Sequence, residues 1–427
     1  MSESERFIVK SLEGIGMTKI VEIVEGVMGS GKSTGIINWM ENNPNEKYIY
    51  VSPLLSEVGE GGRLSQSLKS ITFEYPVSKN KADDVLDSLK LGKNIACTHV
   101  LYSSLSAEHL KYIEDEGYIL VIDEEISLIT GVSEYGRGDY KWLFENDHIE
   151  VSSETGQVYW KGDEVLLKDN KYFKFKTYCD NQSLYVTKRD QYMMVSQLPI
   201  RLLDCAKRVI ILTYMFEGNV LDSFLKIKGL KVVPFTEIEL QEVDVEKVKS
   251  LITLIKPPKH LLQMNQTSSW YDNKATNDDL NEIGKFIRNC AIKNKATRDD
   301  VIYTHPKNRF DSDSKSRTLI KPLGYYKKKV GDEENVCWLA SSTKATNLYA
   351  DKWCLIHCYN RYPQTPVEAY INDYGSDIGV KLNAEVFALS ELLQWVWRSR
   401  IRKSEPIVLA IGNARMCRIF TRWLDNL

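Results

Sequence analysis

GVMGSGKST, residues 26–34, is the stretch that decides the fold of this chain. It fits the phosphate-binding pattern G-x-x-x-x-G-K-[ST], which begins at Gly26 and ends at Ser33. The apolar run before it, residues 20–24, predicts a buried strand, and residues 35–40 predict the start of a helix. The pattern therefore lies in the strand–loop–helix setting that a phosphate-binding loop requires.

The residue types in this loop suit the binding of a nucleoside triphosphate. Gly29 and Gly31 let the backbone approach a phosphate and adopt positive φ angles, while the loop amides and the helix N-terminus form an anion cradle. Lys32 is expected to reach the β- and γ-phosphates, and the Ser33 hydroxyl to bind Mg²⁺. The residues expected to contact the nucleotide are Gly26, Gly29, Ser30, Gly31, Lys32, Ser33 and Thr34.

Composition sets the broad class of the protein. A chain of 427 residues is expected to form about two or three domains. Its formal net charge of −2 excludes a uniformly basic nucleic-acid coat protein, so any site for a polyanion has to be local. The apolar runs are too short to span a bilayer, and the N-terminal MSESERFIVK lacks the apolar core of a signal peptide. We therefore expect a cytoplasmic protein without a membrane partner.

The eight cysteines are scattered without a C-x-x-C pair, which is typical of a reducing cytosol. Cys354, His357 and Cys358 form a cluster that resembles a metal site. They lie in a strand-like run, however, where alternate side chains face opposite ways. We interpret this cluster as core packing.

The order of strand-like and helix-like segments predicts an α/β protein. In the first half, residues 47–53, 94–99, 118–123 and 208–213 are strand-like, with helical segments between them. Such alternation indicates parallel strands with helices on both faces, and ligands collect at the C-terminal strand ends of such sheets. In the second half, residues 300–304, 336–340, 353–357 and 406–411 predict a second sheet that lacks a phosphate loop. The helix-like segments there are residues 277–293 and 383–400.

Two interruptions set the predicted domain boundaries. Residues 131–196 are rich in aromatic residues, glycine and charge, and their short alternating runs predict a β-rich insertion with hairpins. Residues 236–259 are charged and then contain two prolines, which predicts a linker. We therefore predict a first domain over residues 1–235, which includes the insertion, and a second domain over residues 260–427.

Acidic residues follow a buried strand of the first domain. Asp123 and Glu124 come directly after the apolar run 119–122. Transfer of a phosphoryl group to water needs one carboxylate at the Mg²⁺ shell and another to orient or deprotonate the water. We assign the metal role to Asp123 and the water role to Glu124, and Glu125 is a weaker candidate for either.

Two further segments predict contacts between domains. Thr213 and Tyr214, at the end of a strand, are expected to link the nucleotide site to another domain, although a helix cap is the alternative role for the threonine.

Gln394, Arg398 and Arg402 have the spacing of one helix face. An arginine from one domain that reaches the γ-phosphate on another stabilises transition-state charge. A solvated basic helix face is the alternative.

This ordered set of motifs resembles that of the superfamily 2 helicases, and is most similar to the compact helicases of bacteriophages. The loop at 26–34 and the pair Asp123-Glu124 match the family's ATP-binding loop and its DEAD/DEAH-type acids. Thr213 and Tyr214 stand where the family has a Ser/Thr-Ala-Thr coupling motif, and Gln394 and Arg398 match its arginine-finger helix. By the same resemblance, the contacts with single-stranded nucleic acid are Ser52, Pro53, Thr98, His99, Thr304, His305, Thr346 and Asn347.

The sequence departs from the family pattern at the finger helix. Trp397 stands where the family has glycine, and Ile401 stands at the usual place of a second arginine. Arg402 or Arg400 would have to take that second role. The basic stretch 307–329, which includes Tyr325 and Tyr326, is a further candidate for the nucleic-acid groove, with a solvated loop as the alternative.

The resemblance implies two RecA-like domains that bind ATP and Mg²⁺ between them. The implied function is an ATP-hydrolysing helicase or translocase that acts on a single strand, with DNA favoured over RNA, in phage replication or recombination in the host cytoplasm. A DNA-packaging motor ATPase is one alternative. An ATP-gated scaffold or loader, which binds a replication protein through the insertion at 131–196, is the other.

Overall fold

The computed structural model describes residues 19–426 except residues 54, 60, 125, 127, 163, 243, 312–316, 327–336 and 344–347. The strands are β1 (Ile20–Glu25), β2 (Tyr48–Ser52), β3 (Phe73–Glu74), β4 (Asn94–Thr98), β5 (Ile119–Asp123), β6 (Ile129–Gly131), β7 (Ile149–Val151), β8 (Val158–Trp160), β9 (Leu184–Val186), β10 (Met194–Gln197), β11 (Arg208–Thr213), β12 (Lys231–Pro234), β13 (Ile252–Ile255), β14 (Val301–Thr304), β15 (Cys354–His357) and β16 (Ile407–Ile411).

The helices are α1 (Lys32–Asn42), α2 (Leu55–Val58), α3 (Arg63–Ser67), α4 (Lys81–Lys90), α5 (His99–Tyr102), α6 (Ala107–Asp115), α7 (Arg137–Glu145), α8 (Phe173–Asp180), α9 (Arg201–Asp204), α10 (Val220–Ile227), α11 (Val245–Leu251), α12 (Lys259–Leu262), α13 (Ser268–Asn273), α14 (Asn277–Lys293), α15 (Lys307–Phe310), α16 (Thr365–Gly375), α17 (Ala384–Val396) and α18 (Ala414–Asn426). Two 3₁₀ turns cover Ser376–Ile378 and Arg400–Lys403. Every helix in the described residues is too short or too polar to cross a membrane.

The first sheet of the described chain is parallel and has the order β12-β1-β11-β5-β2-β4-β3. The whole of β5 is buried, because helices cover both faces of a parallel sheet. The phosphate loop follows the C-terminal end of β1, and Asp123 is the C-terminal residue of β5. Both strands pair in parallel with β11, which lies between them, so the two motifs lie close together where the strands end.

The second sheet is also parallel, with the order β13-β16-β15-β14. An apolar core that includes residues of α17 and α18 lies on one face, and a core that includes residues of α14 lies on the other. The predicted fold class, two RecA-like parallel-sheet domains in tandem, is confirmed. The strand predicted over 336–340 is wrong for the described residues 337–340, where Trp338 makes an isolated bridge to Tyr303.

The insertion of the first domain contains both strands and helices. β7 and β8 pair as an antiparallel hairpin, and β6, β10 and β9 form a small antiparallel sheet. Helix α8 (Phe173–Asp180) also belongs to the insertion. Phe175 and Cys179 are buried and four residues apart, so a helix places both on the face that meets the insertion's core.

Helix α16 follows the second domain's β15 in sequence but packs on the first domain. Its Val367, Tyr370 and Ile371 belong to the apolar core beneath the first sheet. Asp373 of the same helix binds Arg189 of the insertion, with 2.7 Å between Oδ1 and the arginine Nε. A boundary drawn at residue 260 therefore does not separate two independent cores.

Candidate nucleotide site and interdomain groove

The phosphate loop has the backbone that its glycines predict. Gly29 and Gly31 lie in the left-handed region, with φ of 88° and 86°, and Gly31 caps α1. The Lys32 ammonium donates hydrogen bonds to the carbonyl oxygens of Gly26 and of Val27, the latter at 3.0 Å. Burial lowers the pKa of Lys32 to about 8, although the negative charges of neighbouring acids, Asp123 foremost, oppose this shift.

The chain that follows β12 packs against the loop. A Cβ at Gly26 would lie 2.6 Å from Ser30 Oγ and 2.8 Å from Leu240 Cδ1, so these two side chains would have to shift to admit it. The Gln241 amide donates to the Ser30 carbonyl at 3.0 Å. The predicted linker therefore takes part in holding the loop.

Asp123 is buried at the end of β5 and accepts two hydroxyl hydrogen bonds. Ser33 Oγ donates to its Oδ1 at 3.0 Å, and the Tyr50 hydroxyl donates to its Oδ2 at 2.5 Å. The two residues assigned to Mg²⁺, Ser33 and Asp123, are thus in direct contact. Their hard oxygen donors fit this cation.

Glu124 turns out of the strand and contacts the second domain. Its backbone is left-handed, with φ of 62°, which is uncommon for a residue other than glycine. Arg398 Nη2 donates to Glu124 Oε1 at 3.3 Å. Within the described part of the chain, Glu124 Oε2 and Arg398 Nε are buried and have no hydrogen-bond partner.

The predicted helical face of Gln394, Arg398 and Arg402 is wrong. Helix α17 ends at Val396, where Ser399 Oγ donates to the Val396 carbonyl at 2.7 Å and satisfies one of the terminal acceptors. Arg398 lies in the turn that follows, and Arg402 lies in the 3₁₀ turn Arg400–Lys403. Gln394 stays on the helix and donates to Ser390 Oγ at 3.4 Å.

Arg402 nevertheless lies in the same charged neighbourhood as Arg398. Burial lowers the pKa of Arg402, and the positive charges of Arg398 and Arg63 lower it further, while Glu124 opposes the shift. Arg63, from the first domain, donates to Thr34 Oγ1 at 2.9 Å. Arginines from both domains therefore converge near the phosphate loop.

Tyr50 and Arg63 belong to the site although no sequence motif predicted them. Tyr50 belongs to the run Tyr48–Ser52, all of which is buried. A buried tyrosine hydroxyl needs a polar partner, and this requirement was the available signal. Arg63 follows no motif, so no pattern in the sequence pointed to it.

The end of β11 contacts both the loop and the second domain. The Thr213 carbonyl accepts from the Gly26 amide at 3.2 Å. The Tyr214 hydroxyl accepts from Trp423 Nε1, on α18, at 3.3 Å. Tyr214 and Met28 also pack against the core of the second domain.

A groove of about 1610 Å³ runs between the domains beneath the insertion. Its described lining is rich in hydroxyl groups: Ser103, Thr130, Ser133, Ser196, Thr267, Ser268, Ser269, Ser342, Thr365 and Ser390. Arg361, the only Lys or Arg among the described lining residues, is paired with Glu391 at 2.8 Å. The groove therefore carries many hydroxyl groups without being strongly basic.

The predicted nucleic-acid contacts divide between this groove and the cores. Pro53 and His99 line the groove, as does Gln394, which was predicted for the arginine-finger helix and not for a nucleic-acid contact. Ser52 is buried, and Thr98 caps α5 by accepting from the Leu101 amide at 3.3 Å.

On the second sheet, Thr304 and His305 are both buried, and burial lowers the pKa of His305 to about 4. Neither residue is part of the groove lining. Thr346 and Asn347 lie outside the described residues.

The basic stretch 307–329 does not line the groove in its described part. Arg309 is buried and donates to the carbonyls of Tyr271 and Thr318, and Tyr325 donates to the Ala296 carbonyl at 2.7 Å. Arg317 pairs with Asp272 at 2.7 Å. Arg309 and Tyr325 are therefore buried internal contacts of the second domain and do not line a basic groove.

The interpretation of Cys354, His357 and Cys358 as core packing is confirmed for the described residues. Both cysteines belong to the core on one face of the second sheet, whereas the His357 ring contacts Trp395 on the other. Within the described chain, no three His, Cys, Asp or Glu residues form a group that could hold a metal ion. Asp123 and Ser33 remain the candidate oxygen ligands.

The fold and the site define a two-domain phosphate-loop protein with the XPD-like helicase fold. The chain is similar over its full length to a solved structure of apo XPD, with a TM-score of 0.55, 15% identity and 98% of that chain covered. It is also similar to Xpd4 of S. tokodaii, with a TM-score of 0.50 and 12% identity over 99% of this chain and 97% of the other. At these identities the likeness concerns the fold.

Two comparisons by sequence find similarity to YonV. Residues 246–424 match the family described as the YonV C-terminal Rossmann-like domain. The SPbeta prophage-derived uncharacterized protein YonV of Bacillus subtilis (strain 168) is 26% identical, over 95% of this chain and 99% of that protein.

Proposed function

We propose that this chain is an ATP-dependent nucleic-acid helicase or translocase, which couples ATP hydrolysis to movement along a single strand. The observation that carries the proposal is the contact of Glu124 with Arg398, at 3.3 Å, beside the phosphate loop. It joins a carboxylate of the first domain to an arginine of the second. A hydrolytic site divided between two domains can change with their relative position, as a translocase needs.

Each residue of the site has a defined task in this proposal. The loop amides and Lys32 bind the phosphates of ATP, and Ser33 and Asp123 are the residues that would hold Mg²⁺. When bound, this ion would neutralise charge on the β- and γ-phosphates. Glu124 accepts the proton of the water whose oxygen attacks the γ-phosphorus, and ADP leaves with the bridging oxygen.

Arg398 completes the site after ATP binds. Its guanidinium contacts Glu124, and the negative charge of a bound γ-phosphate competes with Glu124 for the guanidinium. When the guanidinium moves from Glu124 to the phosphate, it stabilises the transition state and leaves Glu124 free to accept the proton. Arg402 is the candidate for a second arginine because it lies in the same charged neighbourhood.

The interdomain groove is the proposed path of the strand. Hydroxyl groups and backbone amides can bind a sugar–phosphate backbone without reading bases. We propose DNA rather than RNA and a role in phage replication or recombination. The support is the similarity to a prophage-derived protein.

Steady-state ATP hydrolysis tests the proposal when it is measured at low salt with no nucleic acid, with single-stranded DNA and with single-stranded RNA. We expect Mg²⁺-dependent hydrolysis that DNA accelerates, and strand displacement on a tailed duplex. Lys32→Ala should abolish hydrolysis and leave the circular dichroism spectrum unchanged. Hydrolysis that responds to neither nucleic acid would contradict the translocase.

The composition of the groove favours one alternative, an ATP-gated scaffold or loader. Its described lining contains one arginine, which is paired with Glu391, so the groove offers little charge to a phosphate backbone. A loader would bind a replication protein through the insertion at 131–196. It would hydrolyse ATP slowly and show no strand displacement.

A further inference from the structure

Tyr50 makes a buried hydrogen bond to the carboxylate assigned to Mg²⁺. Its hydroxyl donates to Asp123 Oδ2 at 2.5 Å, while Ser33 Oγ donates to Oδ1 at 3.0 Å. Tyr50 is 1% exposed and Asp123 is 7% exposed, so solvent water has little access to the hydrogen bond between them. The two hydroxyl groups fix the orientation of the carboxylate from both of its oxygens.

Strand register brings the two residues together. Tyr50 of β2 pairs with Val121 of β5, and Asp123 is two residues further along β5. Residues two apart in a strand lie on the same face. The long tyrosine side chain therefore reaches the end of the neighbouring strand, where the candidate metal site lies.

We propose that Tyr50 is a positioning residue, which holds Asp123 with Oδ1 towards Ser33 and the Mg²⁺ site. This inference rests on the proposed nucleotide site. Partners of metal-binding carboxylates typically contribute about 10- to 100-fold to metal affinity.

Tyr48 is a matched control for a merely structural role. It lies on the same strand, packs in the same core as Tyr50 and is 0% exposed. Its hydroxyl donates to the Asn43 carbonyl at 2.9 Å, at the opposite end of α1 from the phosphate loop. Tyr48→Phe and Tyr50→Phe therefore remove the same atom from the same core, but only one change touches Asp123.

The experiment compares the two variants and the wild type as full chains. Binding of Mn²⁺ in the presence of ADP is measured by electron paramagnetic resonance, and the Mg²⁺ concentration for half-maximal ATP hydrolysis is measured separately. We expect Tyr50→Phe to weaken Mn²⁺ binding about 10-fold and to raise the Mg²⁺ midpoint similarly. Tyr48→Phe should stay within about twofold of the wild type, since its hydroxyl is remote from the cation.

Other results separate this inference from the proposed function. Equal Mn²⁺ affinity in Tyr50→Phe and the wild type, or equal losses in both variants, would overturn the positioning role. If Mn²⁺ and ADP bind as expected but the wild type hydrolyses no ATP, the proposed function fails and the role of Tyr50 stands. If the wild type binds no Mn²⁺ with ADP, both fail. Thermal unfolding in EDTA checks that each variant is folded.

Discussion

Arg398 of the second domain donates a hydrogen bond to Glu124 of the first, with 3.3 Å between Nη2 and Oε1. Arg398 is 6% exposed, and Glu124 has a left-handed backbone that directs its side chain away from the strand. The pair joins the carboxylate proposed to activate water to the arginine proposed to stabilise the γ-phosphate. We therefore expect the two residues to contact each other before hydrolysis and to separate during it.

Replacing either member of this pair is expected to slow hydrolysis strongly. An arginine that contacts a transferring phosphoryl group contributes about 10³- to 10⁵-fold in kcat, so Arg398→Ala should lose at least about 10³-fold while ATP still binds. Arg398→Lys should also be slow, because lysine cannot reproduce the planar guanidinium. Single-turnover hydrolysis measures the chemical step directly.

A double-mutant cycle with Glu124→Gln tests whether the two residues act together. If they form one site, the double variant should be about as slow as the slower single variant. Losses that simply multiply would show that Arg398 acts elsewhere. Binding of a fluorescent ADP analogue, unchanged in all three variants, is the control for folding.

The pKa of Lys32 predicts how nucleotide affinity depends on pH. Burial lowers this pKa to about 8 in the nucleotide-free protein, whereas a lysine bound to phosphates stays charged. Affinity for ADP should be flat below pH 8 and should fall up to about tenfold per pH unit above it, because binding then requires proton uptake. Isothermal titration from pH 6.5 to pH 9.5 measures this, with Mg²⁺ held constant.

Lys32→Arg is the control for this pH dependence. Arginine remains charged across the range, so the affinity of the variant should not change between pH 7 and pH 9.5, whatever its absolute value. A fall of the same size in the variant would assign the titration to another group. The same shift predicts that Lys32→Met stabilises the nucleotide-free protein at pH 7, since it removes a buried charge.

The contact between Tyr214 and Trp423 is expected to couple the nucleotide site to the second domain. Tyr214→Phe removes the hydroxyl that accepts from Trp423 Nε1 and leaves the packing in place. Basal hydrolysis should change little, while stimulation by single-stranded DNA should fall several-fold. Trp423→Phe removes the donor of the same bond, so the double variant should resemble either single variant. Unchanged stimulation in both would remove Tyr214 from the coupling path.

Charge changes can distinguish the groove from the basic stretch. Ser342 is exposed and lines the groove, whereas Lys307 is exposed outside it. Ser342→Glu should weaken binding of single-stranded DNA about tenfold, because it brings a negative charge to the phosphates. Lys307→Glu changes twice as much charge and should have the smaller effect. Fluorescence anisotropy measures both, and the reverse order would restore the basic stretch as the binding surface.

The salt dependence of binding provides an independent check of the same surface. The described lining of the groove contains one arginine, which is paired, so binding of a nucleic acid there should release few counterions. We therefore expect the logarithm of affinity to fall with the logarithm of salt concentration, with a slope of about −1 to −3. A steep slope would indicate a basic surface elsewhere on the chain.

The sequence pattern alone was sufficient to predict features that lie within one short segment of the chain. The phosphate loop, the strand ends at Asp123 and Thr213 and the hairpin of β7 with β8 are set by glycine conformations and by alternation along a few residues. The two parallel sheets followed from the alternation of strands and helices. The end of α17 at Val396 did not follow, because the helical spacing of Gln394, Arg398 and Arg402 continues past this residue.

The fold class and the candidate chemical groups of the site could be predicted from the sequence alone, since each of these depends on residues that are neighbours in the chain. Which distant groups meet is visible only in the tertiary structure. Tyr50 reaches Asp123 through strand register, Arg398 reaches Glu124 across the domains, and α16 packs on the first domain's core. It also showed that Arg309 and Tyr325 are bound internally rather than exposed in a groove. Such contacts join residues tens to hundreds of positions apart, and no periodicity in a single sequence encodes them.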